Sequence, residues 1–310
     1  MHTNPRNKLS RRSFLASSLR AALFGTYALN SSARTQTPWS NWSGGLSCNP
    51  KGRFDIASEN QLIDLLRETS GLIRPVGSGH SFSPLVPTDG HLIVIDQLSG
   101  VFDHDSQSMQ ATVGAGTRLG DLGAPLFEVG QGMLNLPDID RQTLAGATAT
   151  GTHGTGIDFK SLSGYITGLR IVTASGEVKD IDASHGDLFD AARVNLGALG
   201  IVTQIRMQNR ESFKLKKKEW TAPTEELLRD FDALAESHRQ FEIFPLVYSD
   251  YSLALAIDET EQPIGQTIAP AQEVELADLR PLGVDAKPAE KLAMNNRLAE
   301  NAQVSEAIDL

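Results

Sequence analysis

Two loops that combine glycines with a histidine constrain this chain more than any other feature. The first, Arg74–Ser83, follows a short apolar segment and reads Arg-Pro-Val-Gly-Ser-Gly-His-Ser-Phe-Ser. The second, Gly146–Gly156, repeats the combination with threonines in place of serines. Glycines lack a Cβ and let backbone amides approach an anion, and a neighbouring histidine offers an imidazole nitrogen. Together the loops predict a site for a phosphate-bearing cofactor.

The composition is that of a globular protein with an acidic balance. Of 310 residues, 40% are hydrophobic and 21% are charged, with a formal net charge of −10. This length allows two domains, and the charge argues against nucleic-acid binding, which needs a basic face. The one basic cluster, Lys214–Lys218, is expected to form a solvated strand edge. The single cysteine, Cys48, excludes intramolecular disulfides and disfavours thiolate zinc sites.

Residues 1–33 are predicted to form a targeting signal. Arg11 and Arg12, followed by the mildly apolar Leu15–Leu29, give the twin-arginine pattern of proteins exported in the folded state. This run is too short for a convincing transmembrane helix, and Arg20 interrupts it. We therefore expect the Tat export machinery as a partner and a periplasmic or membrane-associated location. A disordered basic tail is the alternative.

Periodicity and turn signals predict mixed helices and strands. Helices are expected after the N-caps Ser58, Thr117 and Thr224, and a shorter helix around Leu188–Ala192. Predicted strands are Leu72–Val76, His91–Ile95, Gln110–Val113, Ile166–Ala174, Glu177–Ile181, Ile201–Met207, Phe241–Val247 and Ser252–Ile257. Residues 34–57 are expected to form a linker, and no strand pattern is found from about Ile264 onward.

Other known motifs fit the first loop less well. It lacks the Gly-Lys-Ser/Thr of a P-loop and the third glycine of the dinucleotide fingerprint. Gly79–Ser83 comes close to the nucleophile elbow G-x-S-x-G, although its fifth position is Ser83. A serine hydrolase that uses Ser81 therefore stays open as an alternative. The histidines are scattered without metal-ligand spacing, so no metal site is predicted.

Four ordered motifs closely resemble the vanillyl-alcohol-oxidase-type flavoproteins, which have a PCMH-type FAD-binding domain. They are Arg74–Ser83, Ala115–Leu122, Leu144–Gly156 and Leu196–Thr203. Within that superfamily the chain is similar to the sugar-lactone and alditol oxidases. The resemblance implies an α+β fold, with a two-subdomain FAD-binding domain over residues 34–212. An incomplete α+β substrate domain is expected over residues 213–310.

The resemblance also implies which residues hold the cofactor. His80 matches the histidine that binds the 8α-methyl group of the flavin covalently, and Ile201 matches a backbone contact on the adenine side. Asp138 occupies a position close to the flavin ring and is the one candidate catalytic residue. The remaining cofactor-binding positions implied are Val76, Gly77, Ser78, Gly79, Ser81, Phe82, Thr143, Gly146, Thr150, Gly151, Thr152 and His153.

The reaction that the resemblance implies is FAD-dependent oxidation of a CH–OH group. A sugar lactone or polyol would give a hydride to flavin N5, and oxygen or another acceptor would then reoxidise the flavin. The family carries a late His-Trp-Gly-Lys stretch near the flavin that these 310 residues lack. A flavin-binding relative without turnover is therefore the second hypothesis.

Overall fold

The computed structural model describes residues 38–265, 267–269 and 305–309, so the predicted signal lies outside the described residues. Within that part of the chain, no helix has the length and apolarity needed to cross a lipid bilayer. The α-helices described are α1 Glu59–Glu68, α2 Gly123–Glu128, α3 Leu144–Ala149, α4 Asp187–Arg193, α5 Thr224–Arg229 and α6 Phe231–Ser237. Single 3₁₀ turns lie at Leu119–Asp121, Leu162–Tyr165 and Ala183–His185.

The strands are two to nine residues long. They are β1 Trp39–Ser40, β2 Ser47–Cys48, β3 Gly52–Asp55, β4 Ile73–Val76, β5 His91–Val94, β6 Val101–Asp105, β7 Gln110–Gly114, β8 Gln131–Gly132, β9 Ile166–Val172, β10 Val178–Asp182, β11 Ile201–Gln208, β12 Arg210–Glu211, β13 Leu215–Pro223, β14 Gln240–Pro245, β15 Tyr251–Glu259, β16 Thr267–Ala269 and β17 Ser305–Asp309.

The first sheet is parallel, with the strand order β3-β5-β4. Val76 at the end of β4 is in register with Val94 at the end of β5. Because the carboxyl ends of parallel strands share one edge of a sheet, the first glycine loop starts from that edge. The sheet therefore presents the loop where ligands of parallel sheets bind.

The second sheet is antiparallel, with the order β10-β9-β11-β7-β6, and it contains the hairpin predicted at Ser175-Gly176. It shares one hydrophobic core with the first sheet, in which Leu62 of α1, Ile93 and Ile205 are fully buried. Arg170 Nε also donates to Glu59 Oε2 of α1 over 2.9 Å. The two sheets are thus held together, and the site lies between them.

The third sheet, with the order β14-β15-β13-β17-β16, has its own core around Phe241 and Leu227. The prediction that Lys214–Lys218 forms a strand edge was wrong, because β13 lies in the middle of this sheet. Its charges are accommodated by local partners. Lys217 Nζ pairs with Glu219 Oε1 at 2.6 Å, and Lys218 Nζ lies 5.2 Å from the centroid of the Trp220 ring.

The linker predicted for residues 34–57 was also wrong from residue 38 onward. Trp39 is buried against Val76 and Leu92, and Asn41 is buried as well. The strands in this segment are two to four residues long, too short to show a period in the sequence. β16, three residues long, and β17, with the sequence Ser-Glu-Ala-Ile-Asp, were also missed, because neither has a clear alternation of apolar and polar residues.

Two predicted helix caps have other roles. Thr117 Oγ1 donates to Gly114 O over 2.6 Å and accepts from Gly100 N, and the segment after it divides into a 3₁₀ turn and α2. Thr224 Oγ1 bonds to Ser252 Oγ at 2.8 Å, and the helix after it is interrupted at Asp230. Threonine hydroxyls also bond to distant partners, which a sequence pattern does not reveal.

The cap predicted for α1 is confirmed. Ser58 Oγ accepts from Gln61 N over 3.2 Å, while Gln61 Oε1 accepts from the backbone N–H of Ala57. The helix ends at Glu68, and Gly71 follows in the left-handed region with φ of 99°.

Candidate functional site

The first loop has glycines where the backbone must approach other parts of the chain. A Cβ at Gly77 would overlap Thr143 Oγ1 at the start of α3. Gly79 adopts a φ of 68°, and a Cβ there would lie 3.2 Å from the Trp39 ring. The two glycines therefore allow the loop to lie flat between the amino-terminal segment and α3.

The amino-terminal segment holds this loop by hydrogen bonds and ring contacts. Trp42 N donates to Gly79 O over 3.1 Å, and Trp42 Nε1 donates to His80 O over 3.1 Å. Asn41 Nδ2 donates to Ser81 O over 3.2 Å. The Trp42 and His80 rings stack, with centroids 5.3 Å apart and an interplanar angle of 26°. Residues that the sequence interpretation assigned to a linker thus fix the loop that carries His80.

The second loop begins as a helix. Thr143 is the N-cap of α3, and its Oγ1 accepts from Gly146 N over 3.3 Å. After α3 the chain turns at Gly151, which has a φ of 72°. Thr152 Oγ1 then donates to Gln142 Oε1 over 2.9 Å, which ties the two ends of the segment together. Only its second half is irregular, whereas the sequence predicted a loop throughout.

A cavity of about 250 Å³ lies between the two segments. Its lining contains most of the residues that the resemblance implied: Val76, Gly77, Ser78, Gly79, His80, Ser81, Thr143, Gly146, Thr150, Thr152 and Ile201. Sequence interpretation did not assign Gln142 or Asn195 to the site, although Asn195 directly precedes the fourth motif. Leu196–Thr203 supplies the third wall through Gly197, Gly200 and Val202.

The polar groups of the cavity fit an anionic, hydrogen-bonding cofactor. Ser78 Oγ is buried and has no hydrogen-bond partner within the described part of the chain. An unpaired buried hydroxyl is costly, so a ligand atom that bonds it would be favoured. Backbone amides of the glycine loop lie beside it, and Arg74 adds a positive charge to the same lining.

A second cavity, of about 400 Å³, lies against the same loop and shares Val76, Gly77, Ser78 and His80 with the first. Its charged residues are Arg53, Asp96, Arg118 and Arg141. Burial lowers the pKa of His80 below its ordinary value, and the positive charge of Arg118 lowers it further. His80 is therefore held towards its neutral, nucleophilic form.

Three implied residues lie outside the lining of the first cavity. Phe82 is 73% exposed and contacts the Trp42 ring edge-on, with centroids 5.8 Å apart. Gly151 forms the turn described above. His153 lines a third cavity, of about 670 Å³, and its Nδ1 bonds to Gly154 O at 2.9 Å. The two loop histidines thus face different spaces.

Asp138 lies at the junction with the third sheet. Gln240 Nε2 donates to Asn135 Oδ1 over 2.5 Å, which sets the start of β14 against the segment that carries Asp138. Two residues later, Glu242 hydrogen-bonds to Asp138 and lines the third cavity. Burial, followed by the charge and hydrogen bond of Asp138, raises the pKa of Glu242 to about 7.

Glu242 was missed by sequence interpretation. It follows Phe241 in a strand whose alternation was recognised, but its partner is distant in the chain. A single sequence contains no signal for such a pair, because the contact depends on the packing of β14 against residues 134–138.

The serine hydrolase alternative gains no support from the geometry. Ser81 Oγ accepts from Ser83 N over 3.1 Å and bonds to Ser83 O at 3.4 Å. Among the described residues, these local bonds are the ones that the hydroxyl makes, and no histidine pairs with it. Over the same residues, no group of three or more histidine, cysteine, aspartate or glutamate side chains is arranged to hold a metal ion.

Comparison with known proteins agrees with this geometry. Residues 50–182 match the family FAD_binding_4, described as an FAD binding domain. These residues are thus similar to an FAD-binding domain of this family. The match covers the first parallel sheet, both glycine segments and the hairpin of the second sheet.

The relatives with similar sequences have related names. The L-gulono-1,4-lactone dehydrogenase of Mycobacterium tuberculosis is 38% identical over 229 residues, which cover 73% of this chain and 53% of that protein. The D-arabinono-1,4-lactone oxidase of Kluyveromyces lactis is 30% identical over 240 residues, covering 75% of this chain and 46% of that protein. The chain thus spans about half the length of these relatives.

The fold is similar to that of a solved cholesterol oxidase structure. The cholesterol oxidase of B. sterolicum superimposes with a TM-score of 0.65 at 19% identity, over 73% of this chain and 48% of that one. This similarity confirms the mixed α+β fold of the PCMH type.

Proposed function

We propose that this protein binds FAD covalently through His80 and oxidises a CH–OH group of a sugar lactone or polyol, with oxygen or another compound as the electron acceptor. The observation that carries the proposal is the cavity between the two glycine segments, which is lined by His80 and by Ser78, whose buried hydroxyl has no partner among the described residues. The printed names of the relatives support the substrate class.

FAD supplies the two-electron acceptor, and the protein binds and orients it. The backbone amides around Gly77 and Gly79 and the Ser78 hydroxyl would hold the anionic pyrophosphate. Residues Gly197–Val202 would enclose the adenine side. His80 would anchor the flavin, because its imidazole is held towards the neutral form that acts as a nucleophile.

Oxidation of an alcohol also needs a proton acceptor. The carbon loses a hydride to the cofactor, and the hydroxyl proton must pass to a base so that the carbonyl can form. Glu242, with its pKa raised to about 7 beside Asp138, is suited to take that proton near neutral pH. It lines the third cavity together with His153, which follows Thr152 of the first cavity in the chain.

In the deciding experiment, the full chain is expressed and then precipitated in acid. Flavin that stays with the precipitated protein is covalently bound. We expect bound flavin in the wild type, its loss in His80→Ala with some non-covalent FAD binding retained, and no change in His153→Ala. Equal flavin in His80→Ala and the wild type would refute attachment at His80.

Activity is measured on the same preparations. Reduction of the bound flavin by L-gulono-1,4-lactone or D-arabinono-1,4-lactone under anaerobic conditions would show oxidation of the proposed substrate class. Stable flavin binding without any such reduction would favour the second hypothesis, a flavin-binding protein without turnover.

We also propose export through the Tat pathway, based on Arg11 and Arg12. Replacing both arginines with lysine should leave the protein in the cytoplasm of a bacterial host that exports the wild type. Unchanged distribution between cytoplasm and periplasm would contradict the proposal.

A further inference from the structure

We propose that Trp42 is a positioning residue for flavin attachment: it stacks on the His80 ring and fixes the backbone of the same residue. The inference rests on the proposed covalent role of His80. It adds a residue from the amino-terminal segment, more than thirty positions away, to the attachment site.

Two kinds of contact from one indole restrict His80. Nε1 donates to the His80 carbonyl over 3.1 Å, and the ring stacks on the imidazole with centroids 5.3 Å apart. The backbone N–H of Trp42 holds the preceding residue through its bond to Gly79 O. The main chain and the side-chain torsions of His80 are thus both restrained. The neighbouring Gly79, with its φ of 68°, would otherwise leave the loop freedom to turn.

Burial distinguishes a structural role from a positioning role for the two tryptophans of the amino-terminal segment, Trp39 and Trp42. Trp39 is buried in a cluster with Val76, Leu92 and Val94, so its ring stabilises the fold. Trp42 is 59% exposed and belongs to none of the buried clusters of the described residues. A large exposed aromatic ring that contacts His80 and Phe82 contributes little to the core. Its contacts are concentrated on the loop that carries His80.

Attachment requires a neutral imidazole in a fixed position. A nitrogen of His80 forms a bond to the 8α-carbon of the flavin, and the nitrogen and that carbon lose one proton each over the whole step. Dioxygen takes up the two electrons and the two protons as hydrogen peroxide. A misplacement of about 1 Å at such a step costs on the order of 100-fold in rate.

Burial lowers the pKa of His80 most, and the charge of Arg118 adds to that shift. The charged residues that line the two cavities beside His80 are Arg53, Arg74, Asp96, Arg118 and Arg141. The indole covers one face of the imidazole and so contributes to the burial that lowers the His80 pKa. Removing the indole would expose this face to water, and the pKa should move up towards 6.5.

The test measures the time course of covalent flavin incorporation. Full-length apo-protein from riboflavin-starved cells is mixed with FAD, and acid-stable flavin is followed at several pH values. We expect Trp42→Ala to incorporate flavin about 10-fold more slowly or worse, with half-maximal rate at a higher pH than in the wild type. Trp42→Phe keeps a stacking ring without the N–H donor and should fall between the two.

Controls separate positioning from folding and from the proposed function. Phe102→Ala removes another half-exposed aromatic side chain, on β6, and should leave the rate unchanged. Non-covalent FAD affinity, measured at early times by flavin fluorescence, should stay within about 3-fold of wild type in Trp42→Phe, which keeps the proposal testable if Trp42→Ala misfolds.

The possible outcomes are distinct. Equal rates and equal pH profiles in the wild type and both Trp42 variants would overturn the positioning role while leaving the attachment itself intact. Wild type that binds FAD but never holds it covalently would overturn attachment at His80, and with it the role of Trp42.

Discussion

The two glycine segments resemble each other in sequence but differ in what holds their histidines. His80 is stacked on Trp42, lines two cavities and has a pKa lowered by burial. His153 lines a wider third cavity, and its ring bonds to the carbonyl of the next residue, Gly154. The same combination of glycine and histidine therefore gives a half-buried imidazole in one loop and an exposed imidazole in the other.

The difference arises from what the neighbouring glycines approach. Gly77 and Gly79 allow contact with Thr143 and Trp39, so the first loop lies between two other elements. Gly154 instead approaches Leu136 O, which holds the second segment against the chain that leads to the third sheet. The first loop is thus suited to bind a cofactor, and the second segment lines both the cofactor cavity and the cavity with Glu242.

The largest effect should follow from adding a side chain at Gly77, where the first loop lies against Thr143. In Gly77→Ala the new methyl group would overlap Thr143 Oγ1, so either the loop or α3 must shift. We expect a loss of about 1–3 kcal/mol in the free energy of unfolding and at least a tenfold weaker FAD affinity. Urea unfolding and flavin titration measure the two effects. Gly123→Ala in α2, where a Cβ meets nothing within 4 Å, is the matched control and should be neutral.

A smaller effect is expected at the residue that contacts both segments. Thr143 faces Gly77 and also caps α3 through its bond to Gly146 N. Thr143→Ala should lower the free energy of unfolding by about 1 kcal/mol, because a capping hydroxyl is lost. Thr143→Ser keeps the hydroxyl and should restore most of that stability. If the two variants unfold at the same urea concentration, the cap is not the source of the effect.

The smallest effect concerns pH and the third cavity. The pKa of Glu242 is raised from 4.5 to about 7, so the folded protein holds a proton that the unfolded chain releases at lower pH. This contribution to stability is complete below about pH 4.5 and is lost as the pH rises through about 7. Glu242→Gln cannot release a proton and should show a flatter dependence of the urea midpoint on pH between 5 and 7. An unchanged slope would remove Glu242 as the titrating group.

Much of the fold could be predicted from local pattern. The hairpin at Ser175-Gly176, the cap at Ser58 and the strand before the first loop each depend on neighbouring residues, and the structure contains all three. Two errors arose where contacts between distant parts of the chain decide the structure. Trp39 is a core residue because β4 and β5 pack on it, and β13 is central because β17 pairs with it.

The candidate site was predictable to the same extent. The glycines and hydroxyl residues predicted the loops from local sequence alone. In the structure, residues of Val76–Ser81, Thr143–Thr152 and Ile201 line one cavity. Trp42 and Glu242 carry no local signal, because each gains its role from a partner on another segment. Contacts between segments that are far apart in sequence were therefore the part that sequence reasoning missed.

The parallel sheet described above also has a consequence for the order of folding. β3, β4 and β5 lie within 43 consecutive positions, Gly52 to Val94, so their pairing closes short loops. β7 pairs with β11 across roughly twice that separation, which costs more chain entropy and slows formation. We expect the loop with His80 to form first, and the walls from α3 and β11 to close over it later. A cofactor present during folding would then meet an open half-site rather than a finished cavity.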